Sequence, residues 1–147
     1  MLKKRMINLL ATGFYTGLSP IAPGTVGTIA ALIFALVWIQ KYTISFAFIL
    51  IFVCGGTLIS QWAEELYGVK DASQIVIDEW AGFFIAVFGL GVDKFLLAFI
   101  LFRIFDIFKP PPIRNLQKFH GGIGIMLDDI LAGLMANILL RVALNFF

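Results

Sequence analysis

The chain is poor in the residues that most enzymes use for chemistry. Its 147 residues include one cysteine and one histidine, and only 14% are charged. The lone Cys54 excludes an internal disulfide, and its place inside the apolar run ILIFVCGG makes it silent about redox compartment. One histidine excludes any site built on two. With Cys54 deep in a hydrophobic run, His120 has no zinc partner and reads as a loop residue. Charge of either sign is scarce: eleven Lys and Arg against nine acids give a net +2. That is too little for nucleic acid, and no basic stripe interleaves with aromatics, so no nucleic-acid partner is expected. Internal repeats and low-complexity linkers are also missing. The opening MLKKRMINLL resembles a signal-peptide start, but no small-residue cleavage site follows it, so it is read as retained.

What the chain has in quantity is hydrocarbon. Its apolar share is 61% and its mean hydropathy +0.98, against about 45–50% apolar residues in soluble domains. Lipid must therefore be part of its solvent. The length fits a single domain over 1–147. Four apolar segments stand out, Thr25 to Ile39, Thr43 to Ser60, Ile75 to Leu90 and Phe95 to Phe108, and a fifth runs from Ile123 to the C-terminus. The first four fall short of the roughly 20 residues of a full span, and Asp128 and Asp129 interrupt the fifth early, differences that flanking residues, tilt or local thinning can supply. Lys3 to Tyr15, basic at its start, suits an interfacial helix. The expected fold is all-α: a multi-pass membrane helical bundle with about four transmembrane helices plus the N-terminal interfacial helix. Lys3, Lys4 and Arg5 place the N-terminus in the cytoplasm. The links Gln40-Lys41-Tyr42 and Gly91-Val92-Asp93-Lys94 then fall outside, and the basic loop from Lys109 to Gly122 falls inside.

That arrangement gathers the acids. Asp78, Glu79, Asp106, Asp128 and Asp129 all come to the cytoplasmic ends of helices, facing the loop GLSPIAPGTVGT of residues 17–28. Asp106 lies in the last turn of its helix, where the dipole and poor hydration both disfavour an anion. Arg103 and Lys109, three residues away on either side, can share its face. An ion pair explains Asp106 taken alone. Asp78-Glu79 and Asp128-Asp129 sit near helix starts, where one acid of each pair can cap and the other face the bundle. Gly82 and Gly133 then allow the helices to approach closely. Several carboxylates in one small volume require a cation, and oxygen-only donors favour a hard one such as Mg²⁺.

The surrounding residues suit an anion. Arg103, Lys109, Arg114 and Lys118 surround the acids, and Arg grips phosphate oxygens bidentately. The 17–28 loop offers Gly24 and Gly27 for close backbone approach and Ser19, Thr25 and Thr28 as hydroxyl donors, ahead of a helix N-terminus. Glycine, proline and threonine before a membrane helix also serve ordinary breaking and capping. Metal, phosphate grip and membrane together suggest phosphoryl chemistry on a lipid headgroup. Cys54 is followed by GGTLISQ, not a Cys-x5-Arg loop, and no Asp-x-Asp-x-Thr nucleophile occurs. By elimination, attack by metal-bound water is the simplest route.

GLSPIAPGTVGT, VIDEWAGF, FRIFDIFKPPPIR and GGIGIMLDDILAG, in this order and spacing, resemble the bacterial phosphatidylglycerophosphatase A family from about residue 12 to 140. The resemblance implies Mg²⁺-dependent removal of the terminal phosphate of phosphatidylglycerophosphate, giving phosphatidylglycerol at the inner membrane. It places the motif positions at Asp78 and Glu79, at Asp106 with Lys109 and Pro110, and at Asp128 with Asp129. Pro111 stands where some relatives carry an aromatic. On this reading Asp78, Glu79, Asp106, Asp128 and Asp129 are metal-ligand candidates. Glu79, Asp129 and Asp106 are the catalytic candidates, with Glu79 or Asp129 as general base. Ser19, Gly24, Thr25, Thr28, Arg103, Lys109 and Arg114 are the substrate-binding candidates. A homo-oligomer is compatible with the sequence. The competing reading is a small cation-binding membrane transport or scaffold subunit, whose acids should lie near the bilayer midplane and not at helix ends. A lipid-headgroup transferase is weaker, since its Asp-Gly…Ala-Arg…Asp pattern is missing.

Overall fold

A computed structural model describes residues 2–39, 41–116 and 118–146. Among these residues the chain is all-helical, with seven α-helices and no strand: α1 (Leu2–Ala11), α2 (Pro23–Trp38), α3 (Phe46–Tyr67), α4 (Ile77–Val87), α5 (Phe95–Phe108), α6 (Ile113–Leu116) and α7 (Gly121–Phe146). Short 3₁₀ turns occupy Thr16–Leu18 and Val92–Lys94. Of the expected outer link, Gln40 lies outside the described residues.

Local chemistry sets the boundaries. Pro23 opens α2 at a position that needs no N–H donor. Ser45 caps α3, accepting from the Phe48 N–H at 3.1 Å, and Gly68 ends it with φ 67°. Helix α5 stops at Lys109, φ 44°, where three prolines forbid continuation. Only α3 (22 residues) and α7, counted over Gly121–Asn145 (25 residues), are long and apolar enough to cross a membrane, both with mean hydropathy 1.8. Helix α2 has 16 residues, α5 has 14 and α4 has 11.

The short α4 is the centre of the bundle, packed against α2, α3, α5 and α7. All its residues except Glu79 and Ile85 are buried. Its crossing with α7 depends on glycine. A Cβ at Gly82 would sit 2.6 Å from the Asp129 carbonyl oxygen, and one at Gly133 would run into the Gly82 carbonyl. On the side toward α2 and α3, Trp80 and Phe84 join Phe34, Phe48 and Phe52 in an aromatic cluster with centroids 4.9–6.5 Å apart. Such pairs add about 0.5–1.5 kcal/mol each beyond the area they bury. The far end of α4 is closed by α7. Asn137 Nδ2 donates to the carbonyls of Ile85, Ala86 and Phe88 at 2.9–3.2 Å, and Arg141 Nη2 donates to Phe88 at 2.7 Å.

The outer surface is apolar to a degree that water alone would not tolerate. Ile29, Ile33 and Val37 on α2, Ile51 and Leu58 on α3, Leu96, Ile100 and Ile104 on α5, and Leu134, Ile138 and Val142 on α7 are all exposed. One expectation about the acids needs correction. Asp128 and Asp129 are not near the start of their helix, because α7 begins at Gly121, two turns earlier. Gly121 opens α7 with φ 70°, and at Gly122 the helix presses on α3. A Cβ at Gly122 would enter the Thr57 carbonyl.

Candidate active site

Where α2 begins, α4 begins and α5 ends, a cleft of about 440 Å³ opens beside the third turn of α7. Six carboxylates line it, those of Asp71, Asp78, Glu79, Asp106, Asp128 and Asp129, with only Arg103 and Lys109 as counter-charges. The expected convergence of four separate segments is therefore present, although each acid arrives in a different state.

Two of the acids are ion-paired. Arg103 Nη1 lies 2.5 Å from Asp106 Oδ2. Lys109 Nζ pairs with Asp128 Oδ2 and stands 3.8 Å from Asp106 Oδ1. Burial opposes the Lys109 ammonium, but Asp128, with Asp129 and Asp106 behind it, holds its pKa above the ordinary lysine value. Three of the remaining four acids form a separate group. One carboxylate oxygen from each of Asp78, Glu79 and Asp129 lies within 4.8 Å of the others. Asp78 Oδ1 and Glu79 Oε2 are buried without a hydrogen-bond partner, an unstable condition unless something positive meets them. Neither Asp78 nor Glu79 caps α4, whose N-cap is Val76 and has no side-chain cap bond. This group can hold a metal ion, and its all-oxygen donors suit a hard one.

Arg103 is fixed from three directions. Besides Asp106, it donates from Nη1 to Thr28 Oγ1 and from Nη2 to Thr25 Oγ1, both at 3.3 Å. Thr28 in turn donates to the Gly24 carbonyl at 2.8 Å. The two threonines, expected as donors to a ligand, accept from the arginine through their hydroxyl oxygens. Gly24 is required by close approach, since a Cβ there would strike Glu79 Oε1 and sit 3.3 Å from Arg103 Nη2.

Of the residues expected to bind substrate, Gly24, Thr25, Arg103 and Lys109 line the cleft, while Ser19, Thr28 and Arg114 do not. The Ser19 hydroxyl donates to the Ile21 carbonyl at 2.8 Å and shapes its own turn. Arg114 is exposed on α6. Sequence reasoning missed Asp71 and Ser73, which line the cleft from the α3–α4 connection. Asp71 has φ 49°, a left-handed conformation that Asp tolerates better than most residues. No apolar periodicity surrounds it to draw attention, and its one signal is its place just ahead of VIDEW.

Comparison with known proteins meets this geometry from a different direction. The family model described as Phosphatidylglycerophosphatase A matches residues 9–144. An Escherichia coli protein named phosphatidylglycerophosphatase A is 39% identical over 138 residues, covering 88% of this chain and 78% of that one. A Haemophilus influenzae protein of the same name is 41% identical over 138 residues, covering 90% and 85%. A Bacteroides thetaiotaomicron protein named, provisionally, a phosphatidylinositol-3-phosphatase is 38% identical over 149 residues, covering 92% and 91%. No solved structure matches the chain. With the motifs meeting at one cleft and the family model covering nearly the whole length, the chain belongs to the phosphatidylglycerophosphatase A family of phosphatases.

Proposed function

We propose that the chain is a Mg²⁺-dependent, multi-pass membrane enzyme that hydrolyses the terminal phosphate of phosphatidylglycerophosphate, with its cleft on the cytoplasmic side. The carrying observation is the close triad of Asp78, Glu79 and Asp129, with partnerless buried oxygens on Asp78 and Glu79, next to a triply anchored Arg103. The triad fits a hard divalent cation, because six carboxylates crowd one cleft beside Arg103 and Lys109. Like charges so close cannot all persist uncompensated. When bound, the cation supplies Lewis-acid polarisation of a phosphoryl oxygen and a more acidic water.

The protein's own groups divide the remaining work. Arg103 presents a pre-oriented fork to the phosphate, and Lys109 adds a point charge beside it. Asp106 and Asp128 hold these two cations in place. Glu79 or Asp129 accepts the proton of the attacking water. The helix N-terminus at Gly24 and Thr25 faces the same space and favours an anion.

The membrane reading has five crossings, α2, α3, the two legs of the α4–α5 hairpin and α7 supplying the apolar girdle, with α1 at the cytoplasmic interface. The transport alternative is disfavoured by the cleft's two fixed cations, which suit an anionic ligand and not a passing metal. The deciding assay measures phosphate released by purified protein from phosphatidylglycerophosphate and, separately, from phosphatidylinositol 3-phosphate, with Mg²⁺ or with EDTA. Turnover of the first in Mg²⁺ alone is expected. Undiminished turnover in EDTA overturns the metal, and preference for the inositol lipid overturns the substrate.

A further inference from the structure

We infer that the cleft lies below the lipid headgroup plane and opens sideways into the bilayer, between the loop before α2 and the end of α5. A phospholipid would then reach it with its acyl chains still in hydrocarbon. The inference rests on the membrane-phosphatase reading above. Its first support is the depth of the acids, which the register of α3 against α4 and α7 fixes. Phe52 stacks on Trp80 at 6.5 Å. Gly56 faces Ile77 and Met126, and Gln61 Oε1 accepts from the Gly122 N–H at 2.9 Å. Asp78 and Glu79 therefore sit level with α3 between Phe52 and Gly56, five to nine residues short of Gln61. At 1.5 Å per residue that is about 8–13 Å, and along α7 from Gly121 to Asp129 it is about 12 Å.

The surface of α3 shows where water begins. Its exposed stripe runs Ile51, Cys54, Leu58, Trp62 and then Glu65, so the boundary lies between Trp62 and Glu65, where an interfacial Trp belongs. Lys3 of α1 sits over the Trp62 ring, 5.4 Å from its centroid, as expected of an interfacial helix. The acids are thus roughly two turns beneath that boundary, walled on one side by α3 and α7.

The start of α2 and the end of α5, joined through Arg103, bound the cleft elsewhere. There the cleft is lined by Ala22, Pro23 and Ile107. Flanking them, Ile21 and Phe108 are each 78% exposed and Ile107 is 62% exposed. Isoleucine and phenylalanine at the mouth of an acidic cleft are costly in water and favourable in lipid. They form an apolar sill over which a charged headgroup folds down to Arg103 while its chains remain outside.

The test uses the full chain with Cys54→Ser and single cysteines at Ile21, Phe108 or Glu65, spin-labelled in phosphatidylcholine–phosphatidylglycerol vesicles. Labels at positions 21 and 108 should be relaxed by oxygen and shielded from a water-soluble nickel chelate, with the reverse at position 65. Nickel access at 21 and 108 equal to that at 65 overturns the inference. In kinetics, Ile21→Ser with Phe108→Ser should raise the KM for vesicle-borne lipid about tenfold with kcat within about twofold. A fall in kcat with KM unchanged overturns it. If the wild type releases no phosphate at all, the enzyme reading fails while the spin-label depths still decide the sill.

Discussion

A carboxylate that already holds an arginine or a lysine has less to offer a metal than one with a bare buried oxygen. The two groups of acids should therefore fail differently. Asp78→Asn, Glu79→Gln and Asp129→Asn are each expected to abolish Mg²⁺-dependent phosphate release and to weaken Mn²⁺ binding more than about 100-fold, since outer-shell changes alone cost 10–100-fold. Asp106→Asn and Asp128→Asn should keep Mn²⁺ affinity within about tenfold of wild type while losing turnover, because they release Arg103 and Lys109. Paramagnetic Mn²⁺ titration read beside the phosphate assay separates the groups, and equal loss of Mn²⁺ binding across all five would refute the division. Arg103→Lys tests the fork itself. Asp106, Thr25 and Thr28 fix a planar guanidinium, which an ammonium cannot imitate, so kcat/KM should fall about 10–100-fold with the fold intact. In the sequence, the acids and Arg103 were legible because charge in hydrocarbon needs a reason. The pairing that distinguishes Asp106 from Asp129 was not, because it depends on which neighbour reaches which oxygen. For the same reason the bonds from Arg103 to Thr25 and Thr28 could not be read from the sequence.

Helix α4 is too short to be stable by itself, and its neighbours supply what it lacks at both ends. Near its acidic start, the Gly82–Gly133 contact brings its backbone against α7 and sets Asp129 beside Asp78 and Glu79. Gly133→Val should force the helices apart, lower the thermal midpoint in detergent by the equivalent of about 1–3 kcal/mol and remove most activity even below that midpoint. Unchanged activity would mean the crossing does not set the triad's spacing. At its far end, Asn137→Leu removes the donor shared by three carbonyls; Ile85 keeps the Phe88 N–H and Phe88 keeps Arg141, so the loss falls mainly on the Ala86 carbonyl. Each unsatisfied buried group costs about 1–3 kcal/mol, so a comparable destabilisation is expected there, with metal affinity nearly unchanged. The glycine pair was readable from spacing because small residues at a helix crossing follow a simple steric rule. Asn137 was not, because its role depends on α4 ending eleven residues after it starts. The start of α7 was placed too late because the apolar run begins at Ile123, whereas Gly122 already packs against α3 within the helix.

At the scale of the whole chain, the question is whether helices of 11 and 14 residues can take a hairpin across a bilayer. At 1.5 Å per residue they reach about 16 and 21 Å, against a hydrocarbon core of about 30 Å. Two topologies fit those lengths. In one the α4–α5 hairpin crosses a locally thinned membrane, and its tip at Val92–Lys94 meets the outer solution. In the other the hairpin is re-entrant and returns without emerging. The tip favours crossing, because Asp93 is exposed and paired with Lys94 at 2.9 Å, and a charged pair left in lipid would be expensive. Arg141, beside the same tip, can extend to the same interface. In intact cells carrying a Cys54→Ser background, Asp93→Cys should react with a membrane-impermeant maleimide from outside. Arg114→Cys, in the basic loop near the cleft, should react only after permeabilisation. If Asp93→Cys also stays silent until the membrane is opened, while reacting fully afterwards, the hairpin is re-entrant. Both long helices, α3 and α7, would then still cross, and the cleft would keep its sidedness. The count of crossings would fall from five to three, because α4 and α5 would turn back together and leave α2, at 16 residues, with α3 and α7.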